Sequence, residues 1–409
     1  MLVVKLALRN LRRNLRRTII TLLAISVGLV VMLLGLCLQY GSYEEMIDSG
    51  VSQIAGHVVV QKEGYQEERE PLMVLENTKE LSKTLQEAFP NATITKRAFL
   101  GGLLTSPKGP AAANVIAVDP KTEGKISEFK GKLIKGEWID DDPKSIVIGS
   151  NMAETLGVKI GQKIVFTAQY DDTEMKSHLF RVKGIFRMGS TEADSFIAYS
   201  NLAVVETILN KKDALHQVAV HLDDVHQSKQ ATSKSRGLIS QSGLDVLSWN
   251  EALPDIEKMI QIDRQSNGLI HLVLAIIVAM GILNTMLMSV LERTKELGVL
   301  LAIGMKPMQL SIMVLLEGLF IGVFGSLLGL ALGYAACYPL VTDGLDLTAQ
   351  MGESYDAAGV TISAMLYGAY HWPSLIQYAV LAAIFSTLSA IYPAWRITKL
   401  KPVDAMRHH

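Results

Sequence analysis

Four stretches of this chain are almost purely apolar, and the polar residues between them fall into blocks of very unequal length. A hydrocarbon core of about 30 Å takes about 20 helical residues. Residues 19–40, 268–291, 310–338 and 375–393 meet or approach that length nearly free of charge and predict four membrane-spanning helices, the last closed by Pro393. In residues 1–18, Val4, Leu8, Leu11 and Leu15 fall on one helical stripe, with Lys5, Arg9, Arg12 and Arg16 on the next. That is an amphipathic interfacial helix. It either lies as an elbow on an anionic leaflet or marks topology by its charge alone.

Residues 41–265 follow another pattern. Short β-branched runs at 57–61, 145–148, 163–168, 179–185 and 217–222 alternate with helical periodicity at 78–89, 151–156, 201–209 and 225–240. Turn chemistry falls at 106–110 and 140–143. The expectation is a large α+β domain, in one body or two, with a core of its own. Residues 253–265 run toward the second span without a breaker, which predicts one continuous helix at the joint. The pattern does not separate a force-bearing joint from a plain connection.

Composition agrees with a membrane protein. The 409 residues are 49% hydrophobic and 19% charged, with a mean hydropathy of +0.27, too apolar for an ordinary soluble chain. A net charge of −1 gives no reason to expect a nucleic acid partner. The placement of charge says more. Lys5, Arg9, Arg12, Arg13, Arg16 and Arg17 precede the first span, and Arg396, Lys399, Lys401 and Arg407 follow the last. Glu44, Glu45 and Asp48 follow the first span, while 339–374 carries Asp343, Asp346, Glu353 and Asp356 with no Lys or Arg. Basic flanks stay in the cytoplasm. Both termini, including the tail 394–409, are therefore expected there, with 41–265 and the loop 339–374 on the other side. The first apolar run lacks a cleavage signature and reads as an uncleaved anchor. Cys37 and Cys337 lie in apolar runs and are expected to be free thiols.

Signatures of catalysis are missing: there is no GxxxxGK[ST] phosphate cradle, no HExxH, no CxxC and no GxSxG. No catalytic residue and no metal ligand is assigned, and any nucleotide chemistry belongs to another chain. His216, His221 and His226 are five residues apart, share no face of a helix or strand, and read as solvated surface histidines. Asp140, Asp141 and Asp142 read as an acidic turn before Pro143. Glu317 reads as a carboxylate at the boundary of the third span.

The turn between the second and third spans, residues 292–309, is the most informative stretch. Glu292, Arg293, Lys295 and Glu296 form a charged helical turn, followed by Gly298, an apolar stripe, and a break from Gly304 through Lys306. Such a short amphipathic helix fits a partner's groove, and it also fits an ordinary loop. In the third span Gly318, Gly322, Gly325, Gly329 and Gly333 recur every three or four residues, a stripe that lets helices approach closely. It suits a dimer seam, the face against span two, or packing within the chain.

The form SVxERTKExGxxxAIG at 289–304 resembles the coupling-helix region of ABC permeases of the MacB, LolC/LolE and FtsX type. Leu8-Arg9-Asn10-Leu11-Arg12-Arg13-Asn14 and the tail from Tyr392-Pro393-Ala394-Trp395-Arg396 to Pro402-Val403-Asp404-Ala405-Met406-Arg407 match the same family, as does the layout of one span, a large domain and three spans. The resemblance implies a bacterial inner-membrane permease with a periplasmic domain, working as a dimer with a second copy or a paralogue. It also implies two cytoplasmic ATPase subunits, which bind ATP and Mg; no cofactor is expected on this chain. Glu292, Arg293, Lys295, Glu296, Gly298, Gly304 and Lys306 would take the thrust of the ATPase. Unlike MacB, the sequence shows no ATPase motif. Extraction of lipoprotein or other lipid-linked cargo, with a periplasmic carrier, is the first expectation. The alternatives are drug or peptide efflux through a periplasmic adaptor, FtsX-like signalling, and a membrane-anchored sensor.

Overall fold

The structure, a computed structural model, describes residues 2–13, 15–76, 78–170, 175–239 and 243–399. Asn14 and the tail motif at 402–407 lie outside the described residues. The chain divides into a helical unit, Met1–Tyr43, Gln261–Leu345 and Leu366–His409, and a strand-rich unit, Glu44–Ile260 and Asp346–Met365.

Among the described residues, four helices are long and apolar enough to cross a membrane. Helix one, Leu15–Gln53, and helix two, Pro254–Glu292, each run unbroken for 39 residues, about 58 Å at 1.5 Å per residue. The expected joint into span two is thus one helix from Pro254 onward. Helix three is Pro307–Thr342. Helix four is Trp372–Ser389 and stops short of Pro393, which instead occupies the first turn of a closing helix, Ile391–Thr398. The correction has a local cause. A first-turn residue has no intrahelical use for its N–H, so proline suits a restart there better than a helix interior.

The leading helix, Leu2–Arg13, also turns out differently from its stripe. Ala7 and Leu11 are buried, with Val3 and Leu6 packed beside them, whereas Val4, Leu8 and Leu15 are exposed. The face that packs is set by contact with helix three and not by the greatest hydrophobicity.

The glycine stripe is buried along helix three. A Cβ at Gly322 would lie 2.8 Å from Ser386 Cβ, and one at Gly318 2.6 Å from that of Ala390. At Gly325, Gly329 and Gly333 the near atoms belong to Ile25, Leu29 and Leu33. The stripe therefore seats helices four and one inside the chain. Met286 of helix two also lies 3.5 Å from a Cβ at Gly318, so the described contacts of the stripe are packing within the chain, chiefly against helices four and one. Ser26 and Ser386 donate to the carbonyls of Gly325 and Gly318 at 3.0 and 2.9 Å, bonds that only such close approach allows.

The strand-rich unit is built on ten strands: β1 Val58–Lys62, β2 Thr93–Ser106, β3 Gly109–Val118, β4 Leu133–Gly136, β5 Ser145–Gly149, β6 Lys163–Ala168, β7 Lys176–Phe186, β8 Ile197–Asn201, β9 Gln217–His221 and β10 Leu244–Ser248. Their order is β10-β1-β9-β2-β3-β8-β5-β7-β4, and β6 bridges β2 and β7. Strands β2, β3, β8, β5, β7 and β6 thereby close on themselves around a core that includes Leu100, Val115, Ile148, Phe166 and Phe180. The remaining strands bury Val58, Val60, Val218 and Val220 with Leu85 of the helix Thr78–Ala88 and Ala231 of the helix Ser228–Leu238. One long strand, β2, serves both halves: it pairs with β9 up to Arg97 and with β6 from Leu103.

Residues 339–374, expected as a plain loop, contribute a hairpin to this unit, Ser354–Ala357 with Val360–Ser363. The Gln53 amide holds it like a ladder rung, donating to the Thr361 carbonyl at 2.7 Å and accepting from its N–H at 3.0 Å.

The histidines are a further correction. His216 and His221 are buried, not solvated; the side chain of His226 lies outside what is described. His216 Nδ1 accepts from the Phe99 N–H at 3.0 Å and Nε2 donates to the Pro71 carbonyl at 2.9 Å, which fixes one neutral tautomer. Their places on β9 and beside it decide this, since that strand is covered on both faces. The acidic turn is held by lysines: Lys183 pairs with Asp140, and Lys121 with Asp141 at 3.0 Å.

Candidate coupling site

Helix two ends at Glu292, and Arg293 leaves helical geometry before the nine-residue helix Thr294–Ala302 begins. That short helix closes on a Schellman motif. The Met305 N–H donates to the Leu300 carbonyl at 3.0 Å and the Gly304 N–H to Leu301 at 3.1 Å, with Gly304 at φ +104°, a conformation that favours glycine. Lys306 is extended, its N–H caps on Gln309 Oε1 at 3.1 Å, and Pro307 opens helix three. Gly304 and Lys306 thus make the corner.

Of the seven residues the sequence assigns to this turn, Arg293 and Gly298 face inward, while Glu292, Lys295, Glu296, Gly304 and Lys306 are at the surface. The kink sends Arg293 inside. Its Nη1 donates to both carboxylate oxygens of Glu317 at 3.2 and 3.3 Å. Glu317 is 2% exposed and sits well inside helix three. It is a buried ion-pair partner and not the boundary carboxylate expected from the sequence. A charge there needs a counter-charge, and Arg293 supplies it.

The pair is part of a larger network. Asn10 of the leading helix donates to Glu317 Oε1 at 2.7 Å. Arg293 Nε also donates to Glu296 Oε2 at 3.3 Å, and the same oxygen takes Arg13. Partial burial pushes the Glu296 carboxyl up, but hydrogen bonds from Arg13 and Arg293 outweigh it and hold the group below its ordinary range. Arg17 approaches Glu292 at 4.0 Å. Three elements, the leading helix, the turn helix and helix three, therefore share one set of charges.

The sequence reading missed Asn10, Arg13, Arg17 and Glu317. A signal was available: Glu317 is the one carboxylate within 310–338, and a charge embedded in an apolar helix asks for a partner.

The outward face of the turn helix is of another kind. Lys295, Val299 and Ile303 follow one another at four-residue spacing. Val299 is 46% and Ile303 78% exposed. At the opposite end of helices one and two, Tyr43 donates to Asp263 at 2.6 Å, Asn267 adds a bond to the same oxygen at 2.8 Å, and Arg264 lies over the Tyr43 ring. Polar contacts thus pin the bundle at both ends.

Comparison with known proteins gives two sequence families. The model described as "FtsX-like permease C-terminal" matches residues 268–402, and that described as "MacB-like periplasmic core domain" matches 18–238. The chain is 24% identical over 430 aligned residues to the lipoprotein-releasing system transmembrane protein LolC of Xylella fastidiosa, covering 99% of this chain and 98% of that one. It is 22% identical to LolE of Haemophilus influenzae, covering 95% and 93%. Among solved structures, the periplasmic region of MacB from Actinobacillus actinomycetemcomitans matches with a TM-score of 0.36 at 14% identity, over 52% of this chain and 94% of that one.

Proposed function

This chain belongs to the family of FtsX-like permeases with a MacB-like periplasmic core and is an ABC transporter permease; from that premise we propose how its turn helix does work. The face formed by Lys295, Val299 and Ile303 docks a separate ATPase subunit in the cytoplasm, which binds ATP and Mg. When two such subunits close, they push the turn helix. Arg293, Glu317 and Asn10 pass that displacement to helix three and the leading helix, and the glycine seam carries it to helices one and four as one packed body. The exposed Val4 and Leu8, with Leu15 at the start of helix one, rest the leading helix on the inner leaflet. Helices one and two are long enough to transmit movement to a periplasmic strand-rich unit.

The cargo in this reading is a lipoprotein or another lipid-linked molecule, handed to a periplasmic carrier by a dimer of this chain or of it with a paralogue. The LolC and LolE relatives, aligned over nearly the whole chain, support that choice. One observation carries the coupling reading: a buried charge network binds the turn helix to its neighbours while the opposite face leaves Ile303 78% exposed.

The test is co-purification in detergent, followed by ATP hydrolysis and ATP-dependent release of a triacylated lipoprotein from proteoliposomes. Wild type is expected to retain the ATPase and Ile303→Asp to lose it, whereas Glu317→Gln keeps the ATPase but releases little cargo. Glu296→Arg is a poorer docking probe, because Glu296 also holds Arg13 and Arg293. A wild type that brings no ATPase would make the anchored sensor the better reading. Hydrolysis without lipoprotein release would favour efflux through an adaptor.

A further inference from the structure

The strand-rich unit holds a cleft of about 500 Å³ that coupling leaves unused. Part of its lining is one sheet face. Phe99 and Gly101 of β2 stand opposite Ile116 and Asn114 of β3. Asn114 in turn faces Ile197 of β8, and Gln61 of β1 faces Gln217 of β9. Tyr65, Tyr170 and Phe196 supply aromatic rings to the same cleft, and Arg69 is the one basic residue in its lining beside the carboxylates Glu192, Asp255 and Asp356.

Three features ask for a ligand. Gln61 is only 2% exposed, yet its amide nitrogen has no hydrogen-bond partner, a state that costs about 1–3 kcal/mol. The neighbouring Gln217 donates its own amide nitrogen to the Ile54 carbonyl at 2.7 Å and takes no hydrogen bond from Gln61. The rings are held in place: the Tyr170 hydroxyl donates to the Gly101 carbonyl at 2.7 Å, and Tyr65 stacks on His216 at 5.2 Å. Phe196, by contrast, is 43% exposed. Finally, a Cβ at Gly101 would meet no atom within 4 Å, and its φ is ordinary. Neither backbone nor packing requires glycine there, so the space above it belongs to the cleft.

The ligand these groups recognise accepts a hydrogen bond from an amide, lays an apolar group on aromatic rings, and carries no net negative charge, since the lining already holds three carboxylates to one arginine. A bare hydrocarbon chain fails the first condition, and a free fatty acid brings a negative charge to a lining that already holds three carboxylates. We propose that this cleft binds an extended polypeptide segment of low net charge, with one backbone carbonyl on Gln61 and an apolar side chain against Phe196 and Phe99. This site stands on the geometry of the strand-rich unit and needs neither nucleotide nor ATPase, so its failure would leave the coupling reading intact.

The experiment uses the full chain in nanodiscs and a fluorescein-labelled Gly-Ser decapeptide with a central Leu, read by fluorescence anisotropy. The same peptide without Leu and dansyl-undecanoic acid serve as comparison probes. The Leu peptide is expected to bind, and Gly101→Trp to weaken it by about tenfold or more, equivalent to about 1.4 kcal/mol, with unchanged thermal unfolding. Gly237→Trp, at another glycine with no atom within 4 Å of a built Cβ, is expected to change nothing, and Gln61→Met to weaken binding without abolishing it. Equal binding of the two peptides, or binding that survives Gly101→Trp, would overturn the proposal. So would dansyl-undecanoic acid binding in place of the peptide, which would make the cleft an acyl-chain site.

Discussion

In the strand-rich unit Arg97 grips Glu123 with two nitrogens, Nε at 3.1 Å and Nη2 at 2.7 Å; in the helical unit Arg293 spreads one nitrogen over both oxygens of Glu317 at 3.2 and 3.3 Å. Both pairs are buried. The first is closed: its side chains are 0% and 1% exposed, and Arg97 uses Nη2 again on the Ser52 carbonyl at 2.6 Å. The second branches through Asn10 and through Glu296, whose side chain is 49% exposed, to Arg13. A closed bidentate pair has one low-energy arrangement and acts as a brace. A branched pair reaches the surface and can trade partners when the turn helix is pushed. The same two residue types thus serve stiffness in one unit and transmission in the other.

Removing one member of the closed pair should break the brace outright. Glu123→Ala leaves a guanidinium buried without its counter-charge, and a loss of about 3–5 kcal/mol is expected, seen as early thermal unfolding of the strand-rich unit. If the double variant Arg97→Met, Glu123→Leu unfolds just as early, the loss is one of shape and the pair is no brace. Glu317→Gln is expected to cost less, about 1–3 kcal/mol, because Arg293 retains Glu296 and Asn10 retains an oxygen. Its larger effect should be on the ratio of cargo released to ATP hydrolysed. A normal ratio would make the network structural only.

Lysine in place of arginine separates the geometries further. At Arg97 it forfeits the bidentate fork, and about 1–3 kcal/mol should go. At Arg293 one nitrogen reaches both oxygens of Glu317, so lysine can keep that contact and should lose less than at Arg97, chiefly the Nε bond to Glu296. Equal losses in urea unfolding would show that the two pairs do not differ in kind.

Acid should divide the units as well. Burial pushes His57, His216 and His221 below their ordinary value. Below about pH 6.5 the unfolded chain takes up protons that the folded one refuses, so their contribution is complete above that pH and is lost as pH falls through it. The slope approaches about 1.4 kcal/mol per pH unit for each histidine. Glu296 is held below its ordinary range, so its contribution is present above the carboxylate range and fades only under stronger acid. Hydrogen exchange at pH 7.5 and 5.5 should therefore show loss of protection around β1 and β9 of the strand-rich unit. Unchanged protection at β1 and β9 would mean that these histidines do not govern the response.

The four long helices, the strands β5, β6 and β9 and the corner at Gly304 were legible in the sequence, because each rests on a local signal: apolar run length, β-branched clustering, or a residue suited to one backbone state. Strands β2 and β3 were not, for Thr93–Ser106 contains Gly101 and Gly102 and Gly109–Val118 is rich in alanine. Their stability comes from partners far along the chain and not from propensity. The hairpin at 354–363 escaped for a similar reason, since Gln53, some 300 positions earlier, holds it.

What the sequence determined by itself was the membrane architecture, the short amphipathic turn helix and its family, since hydrophobicity, charge and motif spacing are properties of neighbouring residues. Tertiary structure decided which charges meet. Glu317 is a boundary carboxylate or a buried junction depending only on whether Arg293 and Asn10 reach it, and the glycine stripe is a seam for whichever helices arrive first. Contacts between residues hundreds of positions apart leave no local trace, because the free energy that selects them belongs to the packed state and not to any segment of the chain.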